Sequence, residues 1–81
     1  MKMNEELKLL EKFQQDNRWL AENYHWLREK YVNEFIAVKD KKVIDHDANF
    51  NKLIERLEEK GEDLGRIVIE FMPPEDLILI L

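Results

Sequence analysis

The chain contains no cysteine, no serine and no threonine in its 81 residues. Without cysteine there is no disulfide and no thiolate metal site. Without all three, the usual hydroxyl and thiol nucleophiles are missing. Tyr24 and Tyr31 carry the only side-chain hydroxyls, and both sit in a helical pattern that marks them as structural. Glycine is almost as scarce: Gly61 and Gly65 are the only two. Their Gly-x-x-x-Gly spacing has no Lys-Ser/Thr behind it, so it makes no phosphate-cradling loop. These absences argue against a self-sufficient enzyme. No apolar run approaches the roughly 20 residues that span a bilayer, and the longest, Leu77–Leu81, has five. Met1 to Glu6 lack the apolar core of a signal peptide. The expectation is a cytoplasmic protein with no membrane partner.

Charge of either sign is plentiful but not segregated. Charged residues make up 38% of the chain, the net charge is −5, and both signs are interspersed. A nucleic-acid module shows a basic stripe. The nearest approach here is Lys39, Lys41 and Lys42, interrupted by Asp40, which reads as a solvated hairpin tip. No nucleic-acid partner is expected. Asp45-His46-Asp47 is the only cluster of ligand or acid–base types. On a strand, residues 45 and 47 point one way and 46 the other. They do not converge on one ion, and His25 is the only other histidine. A metal-assisted hydrolase built on His46 is therefore set aside. No catalytic residue, metal ligand or cofactor is assigned.

What is present is a concentration of aromatic residues. Five of the eight lie between Trp19 and Phe35. Residues 3–32 read as helix, with Leu10, Phe13, Leu20, Tyr24, Leu27 and Tyr31 on one face. Asn17 falls in that stripe, and Asp16 or Asn17 could cap a second helix. A continuous helix of about 30 residues would be roughly 45 Å long. Residues 1–16 would then project as an extension of a single 1–81 domain, or the helix would kink near Asp16. Trp19 and Trp26, seven apart, stand about a quarter-turn off the Leu20/Leu27 stripe.

Phe35-Ile36-Ala37-Val38 and Val43-Ile44 flank a short polar turn and read as a hairpin. Asp47 is the expected N-cap of a helix over 48–60, with Phe50, Leu53, Ile54 and Leu57 facing inward and Gly61 as the stop. Ile67, Ile69 and Phe71 alternate, which gives a third strand one core face before Pro73-Pro74 ends it. Leu77–Leu81 is apolar throughout and wants burial on both faces. The expected fold is α+β in the order α-β-β-α-β-β, with a long helix and an amphipathic helix packed on a sheet of about four strands.

The run Trp19-x4-Tyr24-x2-Leu27-x3-Tyr31, then Asn33-Glu34-Phe35-Ile36-Ala37-Val38, then Lys42-Val43-Ile44, resembles a family of small archaeal and bacterial domains of unknown function. Their pattern is a Trp-bearing helix followed by a Y-x-G-E-x-V-A-V strand and a D-G-K-V-I hairpin return. The resemblance covers about residues 16–60. Asn33 stands where that pattern has Gly, and Lys41 replaces the turn Gly. Both positions ask for positive φ, which Asn tolerates better than Lys. The resemblance implies a fold and no activity.

Two functions fit these features. One is a non-catalytic interaction module acting as a homodimer, with Trp19, Trp26, Leu77, Leu79 and Leu81 as candidate interface residues. The other is a regulatory or antitoxin-like accessory protein that binds a partner enzyme.

Overall fold

The 3.6-residue periodicity of the first third of the chain produces one unbroken helix. The computed structural model describes residues 2–74, with side chains from Leu7 onward. Helix α1 covers Lys2–Lys30 without a break at Asp16 or Asn17. Asn17 turns its amide back onto the Phe13 carbonyl at 2.9 Å and caps nothing. At 1.5 Å per residue α1 is about 44 Å long, and it sets the 46 Å long dimension of the molecule.

Strands β1 (Phe35–Lys39) and β2 (Lys42–Asp47) follow, then α2 (Phe50–Glu59), a 3-10 turn (Leu64–Arg66) and β3 (Val68–Phe71). The sheet is antiparallel in the order β2-β1-β3. The fold is α+β, with three strands among the described residues where about four were expected. Leu77–Leu81, the expected fourth, lies outside the described residues.

The β1–β2 turn has φ 53 at Asp40 and 59 at Lys41. Positive φ at both central residues is the type I′ form, whose twist matches the flanking strands. Asn33 also has φ 64. Both positions where glycine is replaced therefore do adopt the left-handed conformation. Ala37 pairs with Asp45 and Val38 with Val43, so Ile44 is an extra residue that makes a bulge in β2.

Helix α2 begins two residues later than expected. Asn49 is the N-cap, accepting from the Lys52 N–H at 3.0 Å. Asp47 instead accepts from the Asn49 N–H at 2.8 Å and shapes the approach to the cap. The helix stops as expected. Gly61 has φ 78, its N–H binds the Glu58 carbonyl, and the Glu62 N–H binds the Leu57 carbonyl, each at 3.0 Å. That pair of bonds is the Schellman closure.

The sheet lies between the two helices. Helix α1 crosses β1 and β3 on one face, and α2 covers β2 and the 3-10 turn on the other. Leu20 and Leu27 pack with Ile36, Val38, Val68 and Met72. On the far side Leu53 and Leu57 pack with Ala37 and Ile67. Central strand β1 is thus buried on both faces, which is why its sequence is a continuous apolar run. β3 departs from the one-faced expectation. Val68 and Met72 are buried under α1, while Phe71 remains 40% exposed. The helix covers the face that simple alternation assigns to solvent.

Candidate functional site

Asp16 is the only buried charged residue among those described, at 4% exposure. Its carboxylate accepts the Asp40 N–H at 3.2 Å and the Lys41 N–H at 2.9 Å. The two left-handed residues of the hairpin turn are therefore held by a side chain from α1. One helical turn earlier, Lys12 binds the Asp40 carboxylate at 2.7 Å. That hydrogen bond holds the Asp40 carboxyl below the usual carboxylate range. Together Lys12 and Asp16 latch α1 to the hairpin tip, so the tip is a docking point within the fold.

The Asp45-His46-Asp47 cluster divides by strand alternation. Asp45 and Asp47 face α2, where Arg56 meets both. Its Nε and Nη2 lie 3.1 Å from the Asp45 carboxylate, and Nη1 lies 2.7 Å from Asp47. Nη2 also donates to the His46 carbonyl at 2.8 Å. The Arg56 hydrogen bonds pull the Asp45 pKa down to about 2. Asp47 is lowered as well, first by the Asn49 N–H and then by Arg56. The same carboxylates raise Arg56 above its ordinary value. His46 points the other way, with Nδ1 2.7 Å from Glu34 and its ring 4.7 Å from that of Tyr31. His25 lies on the exposed side of α1, 3.2 Å from Glu29. Among the described residues no group of three or more His, Asp or Glu side chains is arranged to hold a metal ion.

Apolar surface is what remains. Leu7, Leu9, Leu10 and Phe13 are exposed at 55, 38, 53 and 40% on the first half of α1. Leu9 and Phe13 continue the stripe that Leu20 and Leu27 bury, but the sheet has ended beneath them. Val32 is 42% exposed just past the other end of α1. Trp19 and Trp26 make an edge-to-face pair with ring centroids 6.3 Å apart. Trp26 donates its indole N–H to Asn23 at 2.7 Å and is 44% exposed, while Trp19 is half-buried against the α1 core. Leu77, Leu79 and Leu81 lie outside the described residues.

A second apolar area surrounds Phe35, which neither the spacing of β1 nor that of α2 singled out. Phe50 and Phe71 stack on it at 5.3 and 5.0 Å, and they are 44 and 40% exposed. This trio borders β3, whose outer edge carries no partner strand among the described residues. Only the register of the sheet reveals the trio, because the three residues are far apart in the chain.

Among the described residues, fold and surface define a small α+β domain of two helices and an antiparallel sheet, with its polar clusters paired internally and its apolar residues partly uncovered. The chain belongs to a family of unknown function, DUF5678, whose model matches residues 27–75. The matched span contains the whole sheet and α2 and leaves out Trp19 and Trp26. Comparison with curated proteins and with solved structures gives no match. No helix among the described residues is long and apolar enough to cross a membrane.

Proposed function

We propose that this protein is a non-catalytic interaction module that works as a homodimer. The observation that carries the reading is the α1 stripe. Over two helical turns it leaves Leu7, Leu9, Leu10 and Phe13 at 38 to 55% exposure. Burying a Leu or Phe side chain contributes about 1.5–3 kcal/mol. A continuous stripe of this kind favours association, whereas scattered single residues would not. The pairing of Asp45 and Asp47 with Arg56 accords with the same reading, since these charges satisfy one another within the fold.

Sedimentation of the purified chain between about 1 and 500 μM tests the proposal. A concentration-dependent dimer is expected. A monomer throughout would defeat it. A monomer that co-purifies from its own host with one enzyme in equal amounts would favour the antitoxin-like reading instead.

A further inference from the structure

The two edges of the sheet are unlike. β2 is blunted by the bulge at Ile44 and by Lys42, Asp45 and Asp47. Bulges and charges of this kind prevent edge-to-edge pairing. β3, Val68-Ile69-Glu70-Phe71, has no bulge, no lysine and no proline. Met72 donates its N–H to the Glu34 carbonyl of the neighbouring chain segment at 2.8 Å. Direction alternates along a strand, so Ile69 and Phe71 aim their N–H and C=O away from β1.

We propose that β3 pairs antiparallel with β3 of a second copy, joining two sheets across a two-fold axis at Ile69 and bringing the two α1 helices into contact. The inference rests on the homodimer reading and names its surface.

Parity restricts the register. Residues directly opposite in an antiparallel pair share a face, so the axis must pass through a residue. An axis through Glu70 would set two carboxylates of like charge opposite each other. An axis through Ile69 sets Phe71 against the partner's Ile67, moves the two Glu70 carboxylates from directly opposite to diagonal, and places each of them diagonally from the partner's Arg66. Arg66 is 57% exposed at its side chain, and its only ion pair among the described residues is a 3.3 Å contact with Asp63. Ile69 then exchanges two N–H···O bonds with the partner's Ile69. Phe71 donates to the partner's Ile67 carbonyl, and the reverse bond completes four. The Ile67 N–H is already held by the Leu64 carbonyl and adds none.

The helices support the same geometry. α1 packs over β1 and β3, and its Arg28 donates to the Pro74 carbonyl at 3.1 Å. That contact puts the flank of Leu10, Asn17, Ala21 and Arg28 on the β3 side. With strands about 4.8 Å apart, a helix over the β1/β3 boundary lies about 5 Å from the axis. Two such helices are then about 10 Å apart, at the upper end of the 8–10 Å of packed helices. Asp16 is level with the hairpin tip and Tyr31 with the start of β1, so Ile69, opposite Ala37, is level with α1 near Tyr24 and His25. Phe71 and Phe50 gain cover on the other face.

Four variants test the proposal by the dimer dissociation constant in sedimentation equilibrium. Ile69→Pro removes an outward N–H that the monomer does not use, and about 30- to 100-fold weaker association is expected. Glu70→Arg and Arg66→Glu should each weaken the dimer about tenfold, and the double charge swap should restore it to within about twofold. The exposed charge variants decide the matter if Ile69→Pro does not fold. A dimer indifferent to all four overturns β3 pairing while leaving the homodimer standing. A tighter dimer on Glu70→Gln puts the axis at Glu70 and overturns the register. A wild-type monomer defeats the reading on which the inference rests.

Discussion

Replacing Asp16 with alanine should be among the most damaging single changes on the polar side of this molecule. The carboxylate is 4% exposed and accepts two backbone N–H groups from the hairpin turn. Hydrogen bonds to a charged group contribute about 1.5–3 kcal/mol each. The 3.2 Å bond is the weaker of the two, so roughly 3 kcal/mol is expected in all. The turn makes the loss worse, because Asp40 and Lys41 hold φ 53 and 59 at an intrinsic cost of about 1–2 kcal/mol each. Domains of this size are stable by only about 5–15 kcal/mol, and each kcal/mol shifts Tm by about 4–8 °C. Asp16→Ala should therefore lower Tm by about 10–25 °C. Asp16→Asn should lose most of the same stability, since it keeps one acceptor and turns an amide N–H toward the second turn N–H. Urea unfolding followed by Trp19 and Trp26 fluorescence measures the effect. In a Lys41→Gly background the cost should fall by about 1 kcal/mol, because the turn then needs less support. A change below 0.5 kcal/mol for Asp16→Ala would refute the latch.

Lys41→Gly alone should stabilise the protein by about 1 kcal/mol in urea, through relief of the left-handed strain at that position. Asp45 should govern acid stability. Its folded pKa of about 2 lies below its ordinary 3.8, so its contribution is complete above pH 4 and lost as pH falls through 2. Arg56→Met should flatten that loss in a pH series of thermal melts. Leu27→Ala, at a residue 0% exposed, should cost about 2–5 kcal/mol. Leu10→Ala should leave the unfolding of dilute protein within about 0.5 kcal/mol and weaken association instead.

Local signals in the sequence carried much of this fold. The Leu20/Leu27 part of the α1 stripe, the hairpin, the Leu53/Leu57 face of α2 and the Gly61 stop each depend on residues within a few positions of one another, whereas Leu10, Phe13 and Phe50, expected to face inward, are exposed. The left-handed demand at Asn33 and Lys41 was equally legible, since those residues occupy places that ask for positive φ. Asp16 was not. Its partners lie 24 and 25 residues away, and within the helix an aspartate followed by asparagine looks like a cap. The Asp47 expectation failed for a related reason. Asp47 and Asn49 are both good caps, and the Arg56 contact draws Asp47 away from the helix axis. Burial of Val68 follows from where α1 crosses β3, which no strand pattern records. The same applies to the candidate surface. The spacing of Trp19 and Trp26 sets them off the core stripe of α1, whereas the Phe35, Phe50 and Phe71 trio depends on strand register.

If the molecule is a homodimer, its uncovered apolar surface meets a second copy of this chain. The mass in solution at about 50 μM is the most direct test. Two chains of 9.9 kDa in one particle, dissociating on dilution, is the expected result. A single 9.9 kDa species at that concentration and at tenfold above it would contradict it.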